Sequence, residues 1–334
     1  MKALVTGGGG FLGRAIVQRL RERGDSVRTF QRGRYADLES LGIECFRGDL
    51  NTVDTLARAI EGCEVVFHVA ARVGVWGEYR EFYNTNVVGT RHVLELCERY
   101  HVVKLVYTSS PSVVFTGRDD GGRDESAPYP KRYLSPYPET KALAEQLVLA
   151  ANSQRLATIA LRPHLIWGPG DRHLVPHILK CAQAGRLRLV GDGRNLIDST
   201  YIDNAAAAHL LAADRLNPKA PCAGRAYFVT NGEPLPIGEW LGKILRAAAL
   251  PPHIPSISPW VAYFFGAVLE NLHRVLRLSG EPLMTRFLAR ELATAHWFDI
   301  GATRKDLGYE PVISVDEGID RLARSLHRSA LAAP

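Results

Sequence analysis

The chain has 334 residues, 46% of them hydrophobic and 23% charged, with five cysteines and a formal net charge of +6. That balance excludes a disordered or fibrous chain and fits one large α/β domain or a domain and a half. The scattered cysteines (Cys45, Cys63, Cys97, Cys181, Cys222) lack C-x-x-C spacing and read as reduced core thiols, and no basic run is interleaved with aromatics, so neither a disulfide scaffold nor nucleic-acid binding is expected.

Lys2–Thr6 reads as a buried strand that follows Met1 directly, leaving no room for a signal peptide, so the cytoplasm is the expected location. Phe11–Arg23 carries Leu12, Ile16 and Leu20 at helical spacing and stops at Gly24. Val27–Phe30 is a second strand, Val53–Ile60 a helix and Val65–Ala70 a short apolar strand. Asn86–Arg99 reads as a helix, Lys104–Thr108 as a strand, Tyr137–Asn152 as a helix and Ala157–Arg162 as a strand. Such alternation predicts a doubly wound parallel sheet of the Rossmann type, covered on both faces.

After Arg162 the texture changes, with Pro163, Gly168, Pro169, Gly170 and Pro176 breaking the alternation. The expected organisation is a dinucleotide-binding domain over 1–165, with later returns to the sheet near 195–230. A smaller C-terminal substrate-binding lobe covers most of 166–334. Within that lobe, Ile257–Leu269 is very apolar and is followed by a basic amphipathic stretch, Asn271–Leu278. The apolar run is shorter than the roughly 20 residues needed to span a bilayer. It reads as a buried helix, as a lid over an apolar substrate, or as an interfacial helix making peripheral membrane contact.

Gly7, Gly10 and Gly13 form G-x-x-G-x-x-G between a strand and a helix, the context a pyrophosphate-binding turn requires. Phe11 and Leu12 lie between the last two glycines and join the contact set. At the end of the second strand, V-R-T-F-Q-R-G-R offers no acid for ribose hydroxyls. Arg32, with Arg34 as a second candidate, can instead meet a 2′-phosphate. NADP(H) is therefore expected, with NAD(H) open. Asp49 follows the third strand and can accept from an adenine amino group or cap a turn.

Tyr137 and Lys141, in Y-P-E-T-K, are four residues apart on one helix face. A phenol has a reference pKa near 10, and a nearby ammonium lowers it toward neutral pH. The pair can then move a proton while a nicotinamide moves a hydride. Ser110 ends the strand L-V-Y-T-S-S and can hold the substrate oxygen, with Ser109 and Ser112 as alternatives. No His/Cys/Asp cluster has metal-ligand spacing, and no metal is expected.

These motifs resemble those of the extended short-chain dehydrogenase/reductase superfamily. The matching segments include T-G-G-G-G-F-L-G, G-D-L at 48–50, H-V-A-A at 68–71, Y-T-S-S at 107–110, Y-P-E-T-K at 137–141 and L-R-P-H-L-I-W-G-P-G at 161–170. Within it the chain is most similar to the 3β-hydroxysteroid dehydrogenase branch. The resemblance implies Ser110, Tyr137 and Lys141 as the catalytic triad, Asn86 as a support for the active-site helix, and Leu50, Ala70 and Pro163 beside the cofactor. It implies NADPH-dependent reduction of a long-chain 2-alkyl-3-oxo acid. Oxidation of a sterol carboxylate, a nucleotide-sugar epimerase and a non-catalytic NADP sensor are the alternatives. The implied substrate is apolar and carries a carboxylate, for which His164, Arg172, His173 and Arg286 are candidate partners. The resemblance also implies a homodimer through the Asn86–Arg99 and Tyr137–Asn152 helices, and a complex with other lipid-pathway enzymes.

Overall fold

The computed structural model describes residues 1–278 and 280–331. Positions 279 and 332–334, which fall in the expected substrate-binding lobe, lie outside the described residues.

Seven strands form one parallel sheet: β1 Lys2–Thr6, β2 Ser26–Gln31, β3 Glu44–Arg47, β4 Val65–His68, β5 Lys104–Thr108, β6 Ala157–Pro163 and β7 Arg225–Val229. Their spatial order is β3-β2-β1-β4-β5-β6-β7. β1 pairs with β2 from Lys2↔Ser26 to Thr6↔Phe30, and with β4 from Ala3↔Val65 to Thr6↔His68. The chain thus winds outward from β1, returns, and winds the other way. The strand order reverses at β1 and β4, and in such sheets ligands bind outside the carboxyl ends of the strands at that point.

Helices cover both faces, so the inner strands are mostly apolar and buried on both sides rather than alternating. Every residue of β4 and β6 is buried. On one face Ile16, Val17 and Leu20 of the Phe11–Glu22 helix pack with Ala205, Ala208 and Ala212 of the Ile202–Arg215 helix over Val5, Phe67 and Val106. On the other, Leu56, Val93, Leu96, Ala144 and Val148 cover Leu4, Val66 and Leu105.

One expected helix is interrupted. Residues Tyr83–Val88 form a π-helical turn that leads into an α-helix, Gly89–Arg99. A π-turn inserts a residue into the helical ladder, and such turns gather at functional sites. Periodicity over Asn86–Arg99 reports only the α-helical part.

Beyond β6, apart from β7, the chain forms short strand pairs and helices. Leu189–Val190 pairs with Ser256–Ile257, and Leu196–Ile197 with Leu235–Pro236. The apolar run and the basic stretch after it merge into one helix, Pro259–Leu276. That helix is not buried. Trp260 is 76% exposed, Phe264 60% and Val275 79%. Its inward side consists of Ala262, Gly266 and Glu270, four residues apart. A Cβ on Gly266 would fall 2.7 Å from the Thr285 carbonyl carbon, so the helix sits directly on neighbouring backbone. Among the described residues no helix is long and apolar enough to cross a membrane.

Candidate active site

The glycine turn is built for close approach. Gly7 has φ +71°, and its N–H donates to the Phe30 carbonyl at 2.7 Å. A Cβ on Gly13 would collide with the Gly7 carbonyl, so only glycine lets this helix start against the turn. Gly10 caps the Phe11–Glu22 helix without a side-chain hydrogen bond, and the first turn holds no acid. Its N–H groups and positive dipole end therefore remain available to an anion. Leu12 is buried beneath the turn, while Phe11 is only partly covered. Ala70 lies 3.0 Å from where a Gly7 Cβ would stand, and forms the opposite lip. These features fit a dinucleotide pyrophosphate.

Around the expected ribose site, Arg32 and Arg47 are exposed and have no acidic partner among the described residues. Arg47 Nε donates to the Arg32 carbonyl at 3.1 Å, which carries the Arg47 side chain to the Arg32 backbone. Arg34 is paired instead with Glu39 at 3.2 Å. Gln31, buried at the end of β2, has an Oε1 without a hydrogen-bond partner among the described residues, and Tyr35 lies against Gly9 with the Arg14 guanidinium 5.6 Å from its ring centre. Sequence reasoning did not single out Arg47, Gln31 or Tyr35, because a lone polar residue at a strand end or loop carries no spacing signal. Asp49 spends Oδ1 on the Asn51 amide N–H at 3.0 Å and the Asn51 side chain at 2.8 Å, so one oxygen caps a turn. Leu50 is buried against Gly89.

Tyr137 and Lys141 lie on the helix Pro136–Ala150. The Tyr137 phenol is pushed up to about 12 by burial, with a hydrogen bond from Ser110 pulling it down and the Glu291 charge pushing it up. Lys141 is almost fully buried, and burial lowers it to about 7. Its ammonium donates to the Thr108 carbonyl at 2.5 Å and sits 4.2 Å from the Tyr107 ring centre. The expected depression of the phenol by Lys141 is thus not present in the protein alone. Burial dominates, and Ser110 supplies the opposing effect. Ser110 Oγ is 2.9 Å from Ser112 Oγ and accepts from the Ser112 N–H at 3.2 Å, whereas the buried Ser109 hydroxyl has no hydrogen-bond partner among the described residues.

Behind the crevice runs a directional network. Thr90 Oγ1 donates to the Asn86 carbonyl at 2.6 Å. It must then accept from His68 Nε2, 2.9 Å away, which leaves Nδ1 to accept from Thr6 Oγ1 at 2.8 Å. Thr6 Oγ1 in turn accepts the Val69 and Ala70 N–H groups, both at 3.1 Å. Burial holds His68 down to about 3, so this relay is neutral and fixed at ordinary pH. Asn86 also donates from Nδ2 to Thr140 Oγ1 at 3.0 Å, tying the π-turn to the Tyr137 helix. One turn beyond Lys141, Glu145 forms a fully buried pair with Arg162 (3.0 and 2.6 Å) and accepts from Tyr129 at 2.6 Å.

Pro163 ends β6, buried, and pairs with Val229. The four candidates for a carboxylate partner do not assemble a cationic rim. His164 is buried edge-on to His296, with ring centroids 4.9 Å apart, and burial keeps it neutral. Arg286 is bound to Glu270 at 2.7 Å. Arg172 and His173 are exposed at the start of the Leu174–Gln183 helix.

A parallel sheet with a glycine turn at its switch point, facing a Tyr/Lys helix, defines a Rossmann-type oxidoreductase of the extended short-chain dehydrogenase/reductase class. The sequence profile of the 3-beta hydroxysteroid dehydrogenase/isomerase family matches residues 4–251, and the chain belongs to that family. It is 49% identical to a 2-alkyl-3-oxoalkanoate reductase of Stenotrophomonas maltophilia, over 97% of this chain and 99% of that one. It is 36% identical to the decarboxylating sterol-4-alpha-carboxylate 3-dehydrogenase of Mus musculus, over 98% and 91% of the two chains. Among solved structures, MoeE5 in complex with UDP-glucuronic acid and NAD superposes with a TM-score of 0.75 at 25% identity, covering 98% of this chain and 100% of that one. Similarity to named reductases and dehydrogenases supports an oxidoreductase, with a reductase role in particular.

Proposed function

We propose that the protein reduces a long-chain 2-alkyl-3-oxoalkanoate to the 3-hydroxy acid with NADPH. The observation that carries the reading is the 49% identity to a named 2-alkyl-3-oxoalkanoate reductase, in a chain whose Ser110 pulls the Tyr137 phenol down. When bound, NADPH supplies the hydride that reaches the 3-oxo carbon. Ser110 holds the substrate oxygen. Tyr137 donates its phenolic proton to that oxygen as negative charge develops there. Lys141 holds the nicotinamide ribose and, once its ammonium is turned from Thr108, favours the phenolate that remains. The glycine turn with Phe11 and Leu12 holds the pyrophosphate. Asp49, Leu50, Ala70 and Pro163 line the rest of the cofactor site. Arg32 and Arg47 take the 2′-phosphate, a site better suited to NADPH than to NADH.

The alkyl chains fit an apolar hollow of about 390 Å³ between the Pro259–Leu276 and Arg286–Ala293 helices, lined by Gly117, Trp260, Tyr263, Phe264 and Ala289. The outward aromatic residues of the first helix, with Arg274 and Arg277 near its end, also suit peripheral contact with a lipid surface. A homodimer through the Gly89–Arg99 and Pro136–Ala150 helices completes the assembly.

The test is NADPH oxidation by purified protein against β-keto acids of graded chain length, beside a sterol 4-carboxylate offered with NAD. Faster turnover of the long-chain keto acid with NADPH supports the reading. Faster turnover of the sterol acid with NAD replaces it with the dehydrogenase alternative.

A further inference from the structure

The Lys141 ammonium is held by more than the Thr108 carbonyl. Strand β5 alternates its side chains, so Leu105 and Tyr107 pack with the Pro136–Ala150 helix while Val106 packs on the other side of the sheet. On that helix Lys141, Ala144, Glu145 and Val148 are buried at helical spacing. The two patterns meet with Lys141 Nζ 4.2 Å from the centre of the Tyr107 ring. Both residues are almost fully buried, Tyr107 at 1% exposure and Lys141 at 2%. No acid pairs with Lys141 among the described residues.

Tyr107 is itself fixed in place. It stands opposite His68 in the β4–β5 pairing, with ring centroids 5.5 Å apart and planes tilted by 37°. His68 is clamped between Thr6 and Thr90 at 2.8 and 2.9 Å, and it is neutral at ordinary pH, so it adds no charge to repel the ammonium. The Tyr107 hydroxyl has no hydrogen-bond partner among the described residues, whereas its ring face meets a cation.

A cation within about 6 Å of a ring centroid is attracted by the ring quadrupole, and more strongly when both are desolvated. A ring differs from a carboxylate as a partner for this cation. It carries no net charge, so it favours the ammonium without neutralising it, and the positive field at Tyr137 is kept. It also acts on the charge rather than on one N–H bond. The ammonium therefore keeps this partner when it turns from Thr108 toward the nicotinamide ribose.

We propose that Tyr107 is the positioning residue for Lys141, its ring face keeping the buried amine protonated and seated one helical turn from Tyr137. The proposal rests on the reading of Lys141 as the group that favours the Tyr137 phenolate. Burial acts in the opposite direction and lowers Lys141 to about 7. An ammonium favoured by its surroundings has a raised pKa, and its contribution is lost as pH rises through that value. Removing the ring therefore lowers the titration of Lys141, and the alkaline limb of kcat moves to lower pH with it.

Other groups face Lys141 from the elements packed on it. Glu145, on the same helix, favours the ammonium, but its oxygens are taken by Arg162 of β6 and by Tyr129. Tyr137, also on that helix, is pushed up to about 12, and Tyr107 is raised by burial as well. β4 contributes His68, lowered to about 3. The Ile202–Arg215 helix contributes His209, lowered to about 4 and 2.9 Å from Thr108 Oγ1. These phenols and imidazoles keep their charge between about pH 6 and about pH 9, so a shift in that range reports Lys141.

The experiment follows the Lys141 side chain by NMR in the NADPH complex, through isotope-labelled lysine Cε, with its signal assigned by its loss in Lys141→Met. The pH profile of kcat for a 2-alkyl-3-oxo acid is measured beside it. Tyr107→Phe keeps the ring and is expected to titrate within about 0.3 pH units of wild type. Tyr107→trifluorophenylalanine keeps the shape of the ring but drains its face of negative charge, and Tyr107→Met keeps an apolar side chain without a ring. Both are expected to lower the Lys141 titration by about one pH unit and to move the alkaline limb of kcat equally. The fluorinated variant preserves the packing where Tyr107→Met fails to fold. An unmoved titration in the fluorinated variant, or a kcat lowered equally at every pH, overturns the role of Tyr107 and leaves it as packing. Full turnover by Lys141→Met overturns the reading of Lys141 and this role together. A shifted titration with no keto acid turned over supports the role of Tyr107 and overturns the substrate reading alone.

Discussion

In β4 every residue from Val65 to His68 is buried, whereas in the Pro259–Leu276 helix Trp260, Phe264 and Val275 are 76%, 60% and 79% exposed. Both segments read as apolar in the sequence. The difference lies in the surface each one meets. A sheet covered on both faces accepts large branched side chains on both sides. The backbone at Thr285–Arg286 accepts only Gly266, flanked by Ala262 and Glu270, which turns the large residues outward. Apolar composition therefore measures how much surface is available for burial, and the small residues determine which side the protein itself covers.

Four variants sharpen this contrast, in descending order of effect. In the sheet half, Glu145→Gln leaves the buried Arg162 guanidinium without its counter-charge. It is expected to lower the stability to denaturant by about 3–5 kcal/mol. A loss below 1 kcal/mol would mean that the pair is dispensable to the core. Gly13→Ala places a methyl group against the Gly7 carbonyl. Crowding of that kind costs about 1–3 kcal/mol, read as a roughly 10–100-fold rise in cofactor Kd by fluorescence titration. Unchanged affinity would show that the turn can open without cost.

Next comes the double variant Arg32→Ala/Arg47→Ala. The ratio of kcat/KM for NADPH over NADH is expected to fall about tenfold, through loss of charge-assisted bonds to the 2′-phosphate. An unchanged ratio would leave both arginines as surface charges. The smallest effect on the fold belongs to Trp260→Ser/Phe264→Ser in the exposed helix. Stability is expected to change by no more than about 0.5 kcal/mol, while sedimentation with anionic vesicles is lost. Strong destabilisation would mean that the outward face has a partner within the chain.

The same contrast decides what the sequence could reveal. β1, β5 and the Val53–Ile60 helix lie at their expected bounds, because each is a short apolar run or period closed by a turn residue. The glycine turn was legible because strand, spacing and helix all coincide at Gly7–Gly13. The π-turn at Tyr83–Val88 was not, since one inserted residue barely alters a helical period. Glu145 and Arg162 read as ordinary charges, and nothing local says that they face each other inside the core. Buried Lys141 and Glu145, four residues apart, mark one inward face of the Pro136–Ala150 helix, and that spacing was the available signal. The Pro259–Leu276 helix also had one, in Ala262, Gly266 and Glu270, but the large residues between them dominate any reading by hydrophobicity.

The most direct test of the central claim is single-turnover NADPH oxidation by Tyr137→Phe, with cofactor affinity measured in the same sample. The phenol is proposed to deliver the proton that accompanies reduction. The variant is therefore expected to bind NADPH as the wild type does and to oxidise it about 10²–10⁴-fold more slowly in the presence of keto acid. Oxidation at the wild-type rate, with affinity unchanged, would contradict that assignment.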